Sequence, residues 1–190
     1  ALCGTALRPP ATGGGVRRTA QRGRFSLLKR AFDVALSGIG LVISAPLWLV
    51  IAAAIKLEDG GPVMFAQDRV GLGGATFHAF KFRSMVPRAA TLPPHQAGEY
   101  DPRITRVGRV LRATAMDELP QLFNIFRGDM SFVGPRPLMP GEIEVRGNGD
   151  LVRLDSIPGY AERHSVRPGL TGLSQVYAPR DTPRVRKFRL

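Results

Sequence analysis

Cysteine, histidine and acidic side chains are scarce in this 190-residue sequence, and each shortage closes off a class of chemistry. The single cysteine, Cys3, excludes an internal disulfide and fits a reducing compartment. His78, His95 and His164 lie far apart, so no Cys/His group has the spacing of a transition-metal site. Acids number 15 against 27 lysines and arginines, a net charge of +12. Residues 1–30 carry seven basic residues and no acid at all. Such an excess points to anionic partners: nucleic acid, lipid headgroups or phosphorylated substrates. An initiating methionine is absent too, so the sequence reads as a piece of a longer chain.

Residues 1–26, rich in Gly, Pro and Arg without apolar periodicity, read as a disordered basic arm. Residues 31–55, "AFDVALSGIGLVISAPLWLVIAAAI", follow with Asp33 as their one charge. As a helix this run reaches about 37 Å, more than the roughly 30 Å hydrocarbon core of a bilayer. It is too long for a signal-peptide apolar region and has no small-residue cleavage site. Lys29 and Arg30 precede it and Lys56 follows, so the positive-inside rule pulls both flanks to the cytoplasmic side. The segment must then enter and leave by one face. Pro46 removes one helical hydrogen bond, and the Ser44 hydroxyl can satisfy a freed carbonyl. A helix broken at Ser44 and Pro46 is therefore expected over 27–57, with a proline-kinked spanning helix as the alternative.

Downstream, residues 62–84 read as a β-hairpin: "PVMFAQDRV", a "GLGG" turn and "TFHAFKFRS". Those glycines supply positive φ at a turn and are no dinucleotide fingerprint. Lys81 and Arg83, two apart in the second strand, should share a face. Residues 87–100 read as a loop. A helix is expected over 105–115, with Ile104, Val107 and Leu111 along one side.

The densest chemistry lies at 112–137. Leu119, Leu122, Phe123 and Phe126 recur at helical spacing, and Gly128 should end that helix. Asp117 would then be the N-cap, with Pro120 in the first turn. Capping alone could explain the acid pair, Asp117 and Glu118. Their neighbours suggest more. Arg112 lies upstream, and Arg136 is held in "GPRP" between Pro135 and Pro137, which restrict it to extended conformations. A guanidinium so constrained suits bidentate phosphate binding. Beside such cations one carboxylate can stay ionised and attack phosphorus, while the second holds Mg²⁺. The constellation reads as phosphoryl transfer.

The segments "KRAFD", "GPVMFAQDRVG", "FKFRSM", "DPRITRVGRVLR", "DELPQLFNIFRGDMSFVGPRP" and "RHSVRPGLTGLSQV" resemble the bacterial sugar transferase family, the monotopic phosphoglycosyl transferases. The resemblance covers about residues 27–190. It implies a small α/β (α+β) catalytic domain over 58–190, carried behind a re-entrant, proline-broken membrane helix. It implies transfer of a sugar phosphate from a UDP-sugar to a polyprenyl phosphate such as undecaprenyl phosphate, with release of UMP, at the cytoplasmic face of the bacterial inner membrane. Such a reaction begins the assembly of a glycoconjugate or exopolysaccharide. Asp117 would be the covalent nucleophile, and Glu118 would support catalysis and, with Asp117, Mg²⁺. Arg112 and Arg136 would bind phosphate, Lys81 would lie near the site, and Arg167 would match a position at the nucleotide end; Arg83, sharing the strand face of Lys81, joins these four as a candidate substrate- and phosphate-binding residue. Two departures stand out. Residues 57–61 read "LEDGG" where relatives more often carry an Asp-Ser-Pro-Gly-like turn, and the chain stops after "RKFRL" where relatives continue into an aromatic amphipathic tail.

The expected partners are a UDP-sugar, a polyprenyl phosphate and the lipid bilayer, with no nucleic acid and with homo-oligomerisation left open. A second reading, a membrane-tethered nucleic-acid-binding protein, would use the basic arm. It leaves residues 31–55, Arg136 and the paired acids unexplained. For His78 and His95 a structural or surface role is expected, while His164 belongs to a motif shared with the family.

Overall fold

The computed structural model describes residues 27–87, 101–145 and 151–177. The basic arm, most of the 87–100 loop with His95, and residues 178–190 lie outside the described residues. The fold mixes helix and sheet behind one long apolar helix.

That helix, α1 (Leu27–Asp59), is long and apolar enough to cross a membrane by length and composition. It runs without interruption through Pro46, where a break was expected. The Ser44 hydroxyl bonds the Leu41 carbonyl at 3.4 Å and accepts from Trp48 Nε1 at 3.1 Å, so it ties adjacent turns together. One face of α1 is seated on the rest of the protein along its length. Ile51 and Ile55 are buried against Phe82 and Leu111, and Trp48 meets Phe82 edge to face, the ring centroids 5.2 Å apart. The opposite face leaves Leu36, Ile39, Val42, Ile43 and Val50 exposed.

The hairpin forms as read: β1 (Met64–Val70) pairs antiparallel with β2 (Thr76–Phe82) around a 3-10 turn at Leu72–Gly74. Next comes α2 (Arg106–Ala113), capped by Thr105 and burying Leu111, with Ile104 buried just ahead of the cap and Val107 half-buried. A 3-10 turn, Met116–Glu118, leads into α3 (Gln121–Arg127), which Gly128 ends at φ 105°. The short strand β3 (Ser131–Val133) pairs parallel with β6 (Gly169–Thr171). Between them lie the antiparallel pair β4 (Ile143–Val145) and β5 (Leu151–Arg153) and the one-turn helix α4 (Tyr160–Arg163). Helix α5 (Leu173–Tyr177) completes the described chain.

Two expectations about α3 change. Its N-cap position is Pro120, so Asp117 lies a turn earlier, in the 3-10 turn. Proline has no N–H to satisfy, which removes part of the need for a capping side chain there. The buried positions are Gln121, Leu122, Asn124 and Ile125, while Phe123 and Phe126 stay 44% exposed. Asn124 explains the rotation. Its amide accepts from Phe80 N–H and donates to the His78 carbonyl and to Asp129, serving the β2 edge as a strand would.

The ends of α1 bracket the two helices that flank the acid pair. Arg30 donates to the carbonyls of Ile125 and Phe126 in the last turn of α3, both at 2.7 Å, where cations offset the helix dipole. Asp33, the buried acid of α1, accepts from Phe132 N–H at 3.2 Å. At the other end Glu58 accepts from the N–H groups of Arg106 and Val107 and so caps α2. Both ends of α1 therefore bond to the same globular unit.

Candidate active site

The acid pair sits in a turn with a strained entry. Ala115, at φ 56° and ψ 17°, is the one non-glycine residue with positive φ among the described residues. This left-handed conformation costs an L-residue roughly 1–2 kcal/mol. It reverses the chain between α2 and the Met116–Glu118 turn and directs Asp117 inward. Asp117 is 8% exposed and Glu118 is partly exposed beside it.

Burial pushes the Asp117 carboxyl above its ordinary range; the Glu118 charge adds to this, while Lys81 and Arg112 oppose it. Burial outweighs the two cations here, where the sequence had suggested that the cations would dominate. Lys81 reaches across from β2 and pairs with Glu118, Nζ to Oε1, at 2.5 Å.

Lys81, Glu118 and Arg136 open on one small, partly open cavity, which Arg69, Gln121 and Gln175 also line. The backbone beneath Arg136 is fixed along its length. Pro135 O accepts from Gly169 N–H at 2.9 Å and Arg136 O from Arg163 Nη2 at 2.8 Å. Pro137 O accepts from Arg69 Nη1 at 3.2 Å and Leu138 O from Val70 N–H at 2.8 Å. Four successive carbonyls are thus bonded, while the exposed Arg136 guanidinium has no hydrogen bond to any described residue. The "GPRP" and "RPGLTG" segments meet backbone to backbone. A Cβ on Gly169 would lie 2.0 Å from Gly134 N, so only glycine lets these strands approach.

Not every cation expected at the site is there. Strand β2 ends at Phe82, and the next residue turns away: Arg83 is 7% exposed and binds both carboxylate oxygens of Asp59 and the Pro62 carbonyl. The "LEDGG" turn supplies that acid, so Asp59 and Arg83 form a structural clamp between α1 and β2. Arg167 donates through Nε to the Gly128 carbonyl at 2.8 Å, behind α3. Arg112 is exposed and acts on Asp117 through its charge. His78 pairs with Asp68 at the surface, and His164 is buried with Nδ1 against the Tyr160 carbonyl. Arg69, Gln121 and Gln175 were not singled out by motif. All three lie inside segments that carry the family resemblance, which was the signal available for them.

The described residues contain no group of three His, Cys, Asp or Glu side chains that could hold a metal. A magnesium ion asks for less: one or two carboxylates, with substrate phosphates and water filling the remaining positions. Asp117 and the Glu118 oxygen not engaged by Lys81 are hard ligands of that kind, so the donor set fits.

The model of the bacterial sugar transferase family matches residues 24–190. The chain is 48% identical, over 90% of its own length and 58% of the relative's, to a UDP-glucose:undecaprenyl-phosphate glucose-1-phosphate transferase of Caulobacter vibrioides. It is 44% identical, over 80% of its length and 34% of the relative's, to a UDP-N-acetylgalactosamine-undecaprenyl-phosphate N-acetylgalactosaminephosphotransferase of Aeromonas hydrophila. It is 42% identical, over 86% and 82% of the two lengths, to an exopolysaccharide production protein of Rhizobium leguminosarum bv. phaseoli. Against the first two the chain spans under two thirds of the relative's length.

Proposed function

The chain belongs to the bacterial sugar transferase family, and on that footing we propose that it transfers a sugar 1-phosphate from a UDP-sugar to a polyprenyl phosphate, releasing UMP. The observation that carries this reading is the meeting of Lys81, Glu118 and a backbone-anchored Arg136 on one cavity next to a buried carboxylate. That arrangement suits a donor with two phosphates. Arg136 and Lys81 would take non-bridging oxygens, and Arg136 can do so without first breaking a side-chain bond.

In this reading an Asp117 carboxylate oxygen attacks the phosphorus that bears the sugar. A new O–P bond forms, the P–O bond to UMP breaks, and UMP departs with that electron pair. The polyprenyl phosphate oxygen then attacks the same phosphorus, displaces the Asp117 carboxylate and forms a polyprenyl diphosphate sugar. Glu118 orients Lys81 between the two half-reactions. Mg²⁺, held by Asp117 and Glu118, would neutralise charge on the donor's diphosphate.

The long helix belongs to the same reading. Its ends bond to the same globular unit, at Arg30 and at Glu58, so a domain on one side of a bilayer would keep both ends on that side. The exposed apolar face would lie in lipid, with any bend localised at Pro46 and the catalytic domain facing the cytoplasm. Labelling of Cys3 by a membrane-impermeant reagent on intact cells would contradict this topology. The function itself is tested by UMP release: purified protein, polyprenyl phosphate, Mg²⁺ and a panel of UDP-sugars should yield UMP with at least one donor. No release with any donor would count against it.

A further inference from the structure

Gln121, like Arg69 and Gln175, lines the cavity and is left without work by the reaction scheme above. Its side chain is 4% exposed, lines the cavity, and has no hydrogen bond to any described residue. An amide at the cavity wall with no bond of its own can take up a ligand's hydrogen bonds without first breaking a contact. Arg136 is assigned to the donor's phosphates, and three other polar groups of the lining are already engaged. Lys81 is paired with Glu118, Arg69 with Gln67 and the Pro137 carbonyl, and Gln175 donates to the Leu170 carbonyl at 3.2 Å.

Position narrows the ligand. The chain from Met116 to Gln121 follows a right-handed helical path, with Leu119 N–H bonded to Met116 O and Leu122 N–H to Leu119 O. Residues three and four apart on such a path are neighbours, which places Gln121 one turn from Glu118 and Asp117. In a UDP-sugar the sugar is bonded directly to the attacked phosphate, whereas the uracil lies beyond a second phosphate and a ribose. A neutral amide one turn from the nucleophile therefore faces the sugar end. An amide also matches sugar hydroxyls, offering two donors and an acceptor without charge.

We propose that Gln121 hydrogen-bonds hydroxyl groups of the transferred sugar and is a specificity-determining residue for the donor. The inference rests on the phosphoglycosyl transferase reading and deepens it at the same cavity. A site that bonds a substrate hydroxyl discriminates strongly against analogues that cannot make the bond.

The test compares wild type with Gln121→Leu, which keeps the volume and removes the amide, and with Gln121→Asn as a milder second variant. Donors are UDP-glucose, UDP-galactose, UDP-N-acetylglucosamine and UDP-N-acetylgalactosamine, with UMP as a probe that lacks sugar. Gln121→Leu should lower kcat/KM for the preferred donor roughly 10- to 100-fold, the loss expected for one hydrogen bond in a desolvated site. The ranking among sugars should flatten, UMP inhibition should be unchanged, and the melting temperature should hold or rise. Equal weakening of UMP and all donors would overturn the proposal in favour of a nucleotide contact. A lower melting temperature with an unchanged ranking would make Gln121 structural. Calorimetric binding of the same donors and UMP, made in the Asp117→Asn background so that no donor is consumed, gives a readout that needs no turnover. A wild type that binds UDP-sugars but never releases UMP would fail the function proposed above, while the binding preference would still decide the role of Gln121.

Discussion

Replacing Lys81 with methionine removes the cation that most favours the ionised form of Asp117 while keeping the length of the side chain. In the proposed reaction Asp117 must be ionised to attack, and kcat/KM for the donor reports the free enzyme, so its acid limb should follow this carboxylate. Burial and the Glu118 charge raise that limb above the ordinary aspartate range, and Lys81 and Arg112 hold it down. Opposite charges about 6 Å apart interact by ~1.4–2.8 kcal/mol at an effective dielectric of about 20–40. One pKa unit corresponds to about 1.4 kcal/mol, so losing such a cation is worth one to two units. Lys81 also pairs with Glu118, which offsets part of its field at Asp117. The expected shift of Lys81→Met is therefore roughly one unit upward, a tenfold loss of rate well below the limb beyond any change in the plateau. Glu118→Gln should move the limb the other way, because it removes a like charge. The assay is UMP release from a UDP-sugar across the acid range, with limb position read separately from plateau. A limb that stays put or falls in Lys81→Met would refute this account of the site's electrostatics.

Other consequences are as specific. Asp117→Asn should raise the melting temperature at neutral pH while abolishing transfer. The native state binds the Asp117 proton more tightly than the unfolded chain does, so the ionised carboxylate lowers stability once pH passes the unfolded pKa. The gain should shrink as pH is lowered toward the ordinary aspartate value. Arg83→Ala should cost about 1–2 kcal/mol in urea unfolding, through the lost packing and hydrogen bonds of the buried guanidinium, with Asp59 left to water and donor KM unchanged in the fraction that folds. Arg136→Lys keeps the charge but loses the planar fork, so kcat/KM should fall at least tenfold with little change in melting temperature. Equal losses of stability and activity there would mark Arg136 as structural.

Much of what could be read from local pattern was read correctly: the hairpin, the burial stripe of α2, the glycine stop of α3 and the extent of the apolar helix. Each depends on neighbours within a few residues. Two local readings changed, the helix break at Ser44 and Pro46 and the Asp117 N-cap, and the other differences arose where a distant partner decides. Strand alternation put Arg83 beside Lys81, but Asp59, reached through a turn 24 residues earlier in the chain, draws it off after the strand ends. Apolar spacing turned α3 toward Phe123 and Phe126, whereas the Asn124 amide bonds to β2 and rotates the helix. Gln121 looked like filler within "LPQLF", because only the three-dimensional cavity shows its amide at the wall without a hydrogen bond to any described residue.

The most direct measurement of the central claim is the fate of labelled phosphate. The protein is incubated with Mg²⁺ and a UDP-sugar carrying ³²P in the phosphate next to the sugar, with no acceptor, then denatured and digested. The account predicts UMP release, label on the peptide containing Asp117, transfer of that label when polyprenyl phosphate is added before denaturation, and no label in Asp117→Asn. Turnover with acceptor present but no protein-bound label, or label that persists in Asp117→Asn, would contradict it.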